Sequence, residues 1–549
     1  MALEVTLKKD FLWWCDGIIY QIYTRSFADS NNDGIGDLNG IRQKLDYLAN
    51  LGISAIWLSP IYPSPDVDFG YDVSDYCSID PKFGTMDDFD HLVKEAHEKD
   101  IRIILDLVMN HSSDQHHWFK EARKSRNNPY HNWYLWHDPS PQGGKPNNWQ
   151  SMTSGSGWEY VPEIEQYYFH MFYREQPDLN WHNPSVHQAM LDVFRFWLGK
   201  GVDGYRLDSV NVYFKDQTFI NNPPKFGLRP FDMQDHIHDT DQTEMLPLLR
   251  ELRSVLDEKP ELYLIGEPFI PVSPLDFLFH GTTQISARYC GNDLLNQLFC
   301  FDFLHCSWNP KKYKEAIQNW DNSLMGKAIP TYVLGNHDNP RPATRLAKGE
   351  DDRRLKVAAV MLLTLRGTPY LYNGDEIGQR DIQLKRSEIK DPVGKVYWPL
   401  YQGRDGCRAP MQWDGTENSG FSLAQPWLPV HPDYPHRNIA AQMIDPDSLL
   451  NVYRQLILLR QQKSALTLGD FRFIEPSPKD TLIYVRSTSD QTIMVVLNFS
   501  SSKREVKIDQ FGKRKWSKLF STLAGVPNPI NNCFLTLQGD EALILQLEG

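Results

Sequence analysis

The 549 residues are too many for one ordinary hydrophobic core and suit a large barrel or two to three packed domains. With 41% hydrophobic and 23% charged residues, and 36 Pro and 34 Gly spread along the chain, collagenous, low-complexity and wholly disordered architectures are excluded. The 57 Lys and Arg against 70 Asp and Glu leave a formal charge of −13, which disfavours non-specific attraction to nucleic acid or anionic membranes and suits a neutral or cationic small ligand.

The N-terminus, 1–10, has two lysines but no apolar segment or small-residue cleavage site, so it does not read as a secretory signal. The longest apolar stretch, Val357 to Leu365, is closed by Lys356 and Arg366 and falls well short of the ~20 residues of a membrane span. Cys15, Cys77, Cys290, Cys300, Cys306, Cys407 and Cys533 are odd in number and show no CxxC spacing. Neither a disulfide framework nor a thiolate zinc site is expected, and the reading is a reducing, cytoplasmic compartment.

Eight apolar runs read as strands: Ile18–Tyr23, Ala55–Leu58, Ile101–Val108, Val202–Leu207, Leu262–Ile265, a weaker Leu298–Phe303, Thr331–Leu334 and Thr368–Tyr372. Between them lie amphipathic helices. Leu38, Ile41, Leu45, Leu48 and Leu51 keep one face, as do Val186, Met190, Val193, Phe194 and Trp197 before Gly199 and Gly201. Alternating strand and helix implies parallel strands with crossover helices, and eight such units close most simply into a (β/α)₈ TIM barrel. An open doubly wound sheet shares the pattern, but no glycine-rich phosphate loop follows any strand.

The third and fourth strands are separated by about ninety residues, which must fold as a subdomain of their own. It holds Trp118, Trp133, Trp136, Trp149 and Trp158. A Pro-, Gly- and Trp-rich excursion over about 376–447 follows the eighth strand as an irregular lobe. From 469 the pattern becomes short strands at Leu482–Val485, Thr492–Leu497, Glu505–Ile508, Leu535–Leu537 and Ala542–Leu547, a small antiparallel domain read as a sandwich. The expected division is a barrel over 1–108 and 181–468, an inserted subdomain over 109–180 and a C-terminal β-sandwich over 469–549.

In a barrel the last side chains of each strand converge at one mouth. Here the strand ends are acidic: Asp106-Leu107-Val108-Met109-Asn110-His111, Arg206-Leu207-Asp208, Gly266-Glu267 and Asn336-His337-Asp338. Each acid alone has a bland alternative, Asp208 as the partner of Arg206 and Glu267 as a helix cap. Together they form an acid/base and nucleophile cluster, because like charges at one mouth repel and stability alone would not select them. A carboxylate pair suits glycoside cleavage, in which one attacks the anomeric carbon and the other protonates the leaving oxygen, about 5–5.5 Å apart in retaining enzymes.

These strings, in this order and on these strands, resemble the four short regions of the α-amylase family of glycoside hydrolases. Gln176-Pro177-Asp178-Leu179-Asn180, Gly70-Tyr71-Asp72, and Gly403-Arg404-Asp405-Gly406-Cys407-Arg408 ahead of Pro410-Met411-Gln412-Trp413 are similar to its α-glucosidase and oligo-1,6-glucosidase branch. The resemblance covers nearly the whole chain, least sharply its last eighty or so residues. It implies Asp208 as nucleophile, Glu267 as general acid/base and Asp338 as the acid that binds sugar hydroxyls and stabilises the transition state. Arg206 would favour the ionised form of Asp208, and burial the protonated form of Glu267.

The resemblance also implies a salt-bridged Asp72 and Arg404 on the far hydroxyls of the first sugar, His111 and His337 around its ring, and Tyr71 on its apolar face. A pocket closed in this way predicts exo cleavage of short substrates. Phe172 joins the substrate-binding set, with packing in the insert as the alternative for it, for Phe169 and for Tyr71.

The segment Asp29-Ser30-Asn31-Asn32-Asp33-Gly34-Ile35-Gly36-Asp37 matches a calcium loop at positions 1, 3, 5, 6, 7 and 9, with Gly40 where the bidentate Glu would stand. An Asx-rich turn before the helix at Leu38 is the alternative. The resemblance implies a structural Ca²⁺ or Mg²⁺ on Asp29, Asn31, Asp33, Asp37 and the Ile35 carbonyl, outside the chemistry, and no cofactor for catalysis.

Ser209 follows the implied nucleophile. In the family a bulky valine there goes with α-1,6 substrates and a smaller or hydroxyl-bearing residue with α-1,4, so the expected activity is release of glucose from the non-reducing end of maltose and maltooligosaccharides, with transglucosylation as a side activity. Asn222-Pro223-Pro224-Lys225 is similar to bacterial α-glucosidases that transfer glucose to other alcohols. The alternatives are an oligo-1,6-glucosidase (isomaltase), a sucrose hydrolase or isomerase, and distantly a non-catalytic sugar-binding homologue, which three intact acids disfavour. The expected partner is a short oligosaccharide, with no nucleic acid and no membrane, and the chain acts as a monomer or homodimer.

Overall fold

Eight short strands form one parallel sheet in a computed structural model that describes residues 11–153, 155–259, 261–269, 282–508, 515–523 and 534–548. They are β1 (Ile19–Ile22), β2 (Ala55–Leu58), β3 (Arg102–Leu107), β4 (Gly204–Leu207), β5 (Tyr263–Gly266), β6 (Gln297–Leu298), β7 (Thr331–Val333) and β8 (Thr368–Tyr372). Their order is β7-β8-β1-β2-β3-β4-β5-β6, every hydrogen-bonded neighbour parallel, so chain order is ring order. The fold is a nearly closed (β/α)₈ barrel with a separate C-terminal antiparallel β domain.

Both faces of the barrel strands are buried, which is why they read as continuous apolar runs without alternation. The two-residue period nevertheless separates two cores. Ile19, Ala55, Trp57, Ile104, Tyr263, Ile265, Val333 and Tyr370 fill the interior, whereas Tyr20, Ile56, Leu58, Ile103, Leu105, Tyr205, Leu207 and Leu264 pack under the outer helices. Continuing the inward parity carries Gln21, Asp106, Arg206, Asp208 and Glu267 to the same side, with Asp106 and Arg206 in register. The site is thus set by strand geometry before any loop is considered.

The sixth strand departs from expectation. Only Gln297–Leu298 is extended, and Phe301–Leu304 is helical. A short apolar run buried all round carries no period with which to tell strand from helix. Phe299 instead points inward against Trp57, with ring centroids 5.5 Å apart. The helical face through Leu38 and Leu51 is made of two helices, Leu38–Gln43 and Leu45–Leu51, joined at Lys44.

After β3 the chain leaves the barrel and returns through the bridges His111 to Asp178 and Tyr134 to Leu179. Between these roots lies a three-stranded antiparallel sheet, Trp136–His137, Gln166–Phe169 and Trp158–Val161, with Trp149, Trp158 and Phe169 in its core. The helix Pro184–Gly199 then leads into β4, started by Asn183, whose side chain accepts from the Ser185 amide.

The C-terminal domain has five antiparallel strands in the order Asp470–Phe473, Thr481–Ser487, Thr492–Asn498, Ala542–Leu547, Trp516–Ser521, and a separate pair, Arg504–Lys507 with Phe534–Leu537. The outer two of the five escape the hydrophobic pattern because they are edges: Asp470–Phe473 is half exposed, and Trp516–Ser521 is polar and bulged between Lys518 and Phe520. Ile483, Val485, Met494 and Val496 face the pair. Leu482, Tyr484, Ile493, Val495 and Leu497 belong to the core of the barrel helices. Two buried arginines stand beside this seam, and Arg486 crosses it. Arg460 donates to the carbonyls of Leu363, Leu365 and Gly367, and Arg486 to those of Thr364, Leu466, Thr467 and Gly469. Among the described residues no helix is long and apolar enough to cross a membrane.

Candidate active site

At the carboxyl end of β3, β4 and β5, Arg206 threads between three acids and is 1% exposed. Its Nη1 donates to Asp106 Oδ1 at 2.6 Å and Asp208 Oδ1 at 2.8 Å, and its Nη2 donates to Glu267 Oε2. One guanidinium therefore holds two neighbouring carboxylates side by side, Asp208 at the end of β4 and Glu267 at the end of β5. Burial outweighs the arginine at Glu267, and with Asp208 and Asp338 nearby it pushes the carboxyl up to about 8. Asp106, also buried, is pushed up to about 7 despite Arg206.

Asp338, after β7, has the opposite surroundings. Burial opposes its ionisation, but His337, Arg408, Arg404 and Arg206 outweigh it and hold the carboxyl well below the usual carboxylate range. Arg408 Nη2 donates to Asp338 Oδ1 at 2.7 Å, and its Nε donates to the His337 carbonyl. The His337 ring lies parallel to Tyr71 with centroids 5.5 Å apart, Nε2 2.7 Å from the Tyr71 hydroxyl and Nδ1 2.7 Å from Gln21 Nε2. Burial lowers this imidazole to about 3. Tyr71 also donates to Asp106 Oδ2 at 2.9 Å, so its hydroxyl ties β3 to the loop after β7.

The expected pair of Asp72 with Arg404 is not formed. Asp72 is 0% exposed and spends its oxygens on Ser64 Oγ, Val67 N and Asp68 N, a loop-closing role, and burial pushes it up to about 6. The partner of Arg404 is Asp68, Oδ1 to Nη2 2.6 Å. In Asp68-Phe69-Gly70-Tyr71-Asp72 both acids flank the Gly-Tyr pair, and only the tight turn, with Gly70 at φ 110° and Phe69 at φ 50°, decides which one meets the arginine. Asp391, from the lobe after β8, braces Arg404 further, accepting from its Nε at 3.0 Å and from its amide at 2.7 Å. Gln176 reaches from the insert to Asp68 Oδ2 at 3.2 Å.

On the opposite wall, His111 Nε2 lies 3.1 Å from the Tyr71 carbonyl and its Nδ1 3.3 Å from Asn110 Nδ2. Burial lowers this imidazole too. Phe172 leans against His111 with centroids 5.2 Å apart. Phe169 is wholly buried against Trp149 and Trp158, so its role is packing. Asp68, Tyr71, His111, Phe172, Asp208, Ser209, Glu267, Asp338 and Arg404 line one cavity of about 630 Å³. Ser209 stands at φ 45°, turning the chain sharply after Asp208. Asp106, Asp391, Arg408 and Gln21 were not singled out by sequence reasoning. Asp106 and Arg408 lie inside the motif strings, Asp391 lies outside all of them, and inward parity on β1 would have flagged Gln21.

In the loop 29–37, Asp29 accepts from the amides of Asn31, Asn32 and Gly34 and from Ser422 Oγ. Asp33 accepts from the Ile35 amide and Asn31 Nδ2, and Asp37 caps the following helix through the Gly40 amide. Gly34 sits at φ 88°, where a Cβ would lie 2.2 Å from the Gln425 carbonyl. A Cβ on Gly40 would lie 2.0 Å from the Ala28 carbonyl, so no side-chain ligand can stand there. The oxygen donors are of the kind a hard cation takes. Among the described residues no three His, Cys, Asp or Glu side chains converge on a metal position.

A family model described as "Alpha amylase, catalytic domain" matches residues 21–469, and one described as "Maltogenic Amylase, C-terminal domain" matches residues 471–544. The chain is 40% identical to a probable alpha-glucosidase of Rhizobium meliloti (strain 1021) over 507 residues, 90% of each chain. It is 37% identical to the oligo-1,6-glucosidase of Parageobacillus thermoglucosidasius over 522 residues, 89% of this chain and 91% of the other. Its fold superposes on the crystal structure of the alpha-glucosyl transfer enzyme XgtA with a TM-score of 0.90 at 34% identity, covering 98% of this chain and 100% of that one.

These similarities overturn the α-1,4 expectation. Oligo-1,6-glucosidases recur among the similar relatives, and a trehalulose synthase stands among the similar structures. The inference from Ser209 leaned on one side chain. The cavity beyond the acids is walled by several segments at once, among them Leu228 and Asp232 after β4 and Val393 and Tyr397 from the lobe.

Proposed function

The chain belongs to the α-amylase family of glycoside hydrolases, and within that family we propose that it is a retaining enzyme that removes glucose from the non-reducing end of short α-1,6-linked glucosides, as an oligo-1,6-glucosidase. The observation that carries the reading is Arg206 holding Asp208 and Glu267 together in a cavity whose end is closed by Asp68 and Arg404. Carboxylates on adjacent nitrogens of one guanidinium fit the short spacing of retaining enzymes, about 5–5.5 Å.

In this reading Asp208, ionised beside Arg206, attacks the anomeric carbon while Glu267 delivers its proton to the leaving oxygen, which departs as an alcohol. Water then gives its proton to the Glu267 carboxylate and attacks the same carbon, releasing Asp208. An acceptor alcohol in place of water gives transfer. Asp338, kept ionised by its arginines, accepts from ring hydroxyls and favours positive charge developing at the anomeric centre. The Asp68, Asp391 and Arg404 cluster binds the far hydroxyls and leaves no passage for a longer chain, which is the basis for exo action. His111, His337, Tyr71 and Phe172 complete the first subsite.

A second reading, sucrose isomerisation, draws on the likeness to a trehalulose synthase, with a TM-score of 0.87 at 34% identity. One experiment separates them: products from isomaltose, maltose and sucrose at equal concentration, with Asp208→Asn as blank. Faster glucose release from isomaltose supports the first reading, conversion of sucrose into isomeric disaccharides the second, and no turnover of any of the three would sink both.

We infer also that the loop 29–37 holds a Ca²⁺ or Mg²⁺ ion through Asp29, Asn31, Asp33, Asp37 and the Ile35 carbonyl, as a brace for the helix at Leu38. A rise in melting temperature with added calcium that Asp33→Ala abolishes is the expected result, and an unchanged melting curve refutes it. The free thiols of Cys15, Cys77, Cys290, Cys306 and Cys407 favour a reducing, cytoplasmic setting.

A further inference from the structure

Behind the cavity wall lies a buried charge that the chemistry above does not use. Lys215, in the loop after β4, is 2% exposed. Its ammonium donates to Asn110 Oδ1 at 2.8 Å and to the Val212 carbonyl, and forms an ion pair with Asp178 Oδ2 at 2.5 Å. Asp178 comes from the insert and Asn110 from the end of β3, so one cation joins three segments.

An ammonium only donates, so the Asn110 atom facing it must be the amide oxygen. The amide nitrogen then faces His111 Nδ1 at 3.3 Å and can only donate. On the other side of the ring, Nε2 faces the Tyr71 carbonyl at 3.1 Å, which can only accept. These contacts admit one state of the imidazole, with Nδ1 bare and the proton on Nε2. The other neutral tautomer and the doubly protonated ring would both set an Nδ1 proton against the Asn110 amide protons. Acids face His111 from three sides, Asp178 from the insert, Asp208 from β4 and Asp68 from the loop after β2, and all favour a charged ring. Burial opposes them, and the Asn110 amide adds a directional bar.

We propose that Lys215 is a positioning residue which, through Asn110, locks His111 as the neutral Nε2–H tautomer, its one proton spent on the Tyr71 carbonyl, so that the cavity wall holds no competing acid. The proposal rests on the reading that His111 borders the first subsite. Its consequence is that proton traffic in the cavity belongs to the carboxylates alone. The side chain of the Asn-His pair in the third strand motif thereby gains a reason for its order: the asparagine reads the lysine and sets the histidine.

The direct test is ¹⁵N-histidine NMR of the full-length wild type between pH 5 and 9, with the His111 signal assigned by its loss in His111→Gln. A bare Nδ1 and protonated Nε2 across the whole range is the expected result. A proton on Nδ1, or a titration inside that range, overturns the proposal whether or not the enzyme turns over isomaltose. Asn110→Asp supplies the converse, because it keeps an oxygen toward Lys215 but replaces the amide N–H₂ facing Nδ1 by an acceptor. The expected outcome is an Nδ1 proton and an added ionisation in the pH profile of kcat/KM, with a fall of tenfold or more. An unchanged His111 signal and profile in this variant also refutes the lock. Lys215→Arg should restore the wild-type tautomer where Lys215→Met loses it, and equal spectra in the two would assign Lys215 a purely structural role.

Discussion

Replacing Asp68 and Asp72 by asparagine, one at a time, separates two acids that sequence alone cannot rank. Asp68 gives one oxygen to Arg404 at 2.6 Å, and a neutral amide there forfeits a charge-assisted bond worth about 1.5–3 kcal/mol. At 1.36 kcal/mol per factor of ten, Asp68→Asn should lose about 10- to 150-fold in kcat/KM on isomaltose. Arg404 remains held by Asp391 through three bonds, so melting should barely move. Asp72 offers its oxygens to three donors, and an amide N–H₂ on either side would meet an N–H or O–H head-on. Leaving a buried donor unsatisfied costs about 1–3 kcal/mol, which should appear as a fall of a few degrees in Tm with kcat/KM nearly intact. The assay is steady-state kinetics on isomaltose beside thermal denaturation. A kinetic loss at constant Tm in Asp72→Asn, with Asp68→Asn silent, would return Arg404 to Asp72 and refute the reasoning.

Three further outcomes follow from the geometry. Because Glu267 must start protonated and burial pushes it up to about 8, kcat/KM should fall as pH rises through about 8, and Glu267→Gln should abolish turnover. Arg460→Met removes donors from three buried carbonyls and should cost about 3 kcal/mol or more in chemical denaturation, with KM unchanged, since the arginine lies at the domain seam. Gly40→Ala places a Cβ 2.0 Å from the Ala28 carbonyl and should lower Tm by several degrees; an unshifted melting curve would mean that the helix can slide away from the loop 24–28.

The barrel was legible because its strands are short, apolar and regularly followed by helices, and their two-residue period delivers Asp106, Arg206, Asp208 and Glu267 to one side. At β7 the same period, with Val333 inward, selects His337, and the turn bridged by Asn336 and Asn339 places Asp338 beside it. What escaped was whatever has no period. Asp391 and Arg408 come from the irregular lobe, and their place beside Arg404 and Asp338 depends on turns whose direction no side-chain pattern encodes. Asp68 and Asp72 are four residues apart across a turn at positive φ, so proximity in sequence gave no choice between them. The linkage inference failed for a related reason: it took one residue, Ser209, to speak for a wall built from several segments.

The shared core between the C-terminal sheet and the barrel helices has a consequence for how the chain is made. Leu482, Tyr484, Ile493, Val495 and Leu497 close the underside of helices that a ribosome has already released. At about 5–20 residues per second, the final eighty or so residues take about 4–16 s to emerge. Throughout that interval the catalytic part of the molecule carries an uncovered apolar floor and bare carbonyls to which Arg486 will later donate. Cutting the gene at 469 would make that interval permanent, so the small domain, although remote from the sugar pocket, sets whether the nascent barrel survives to use it.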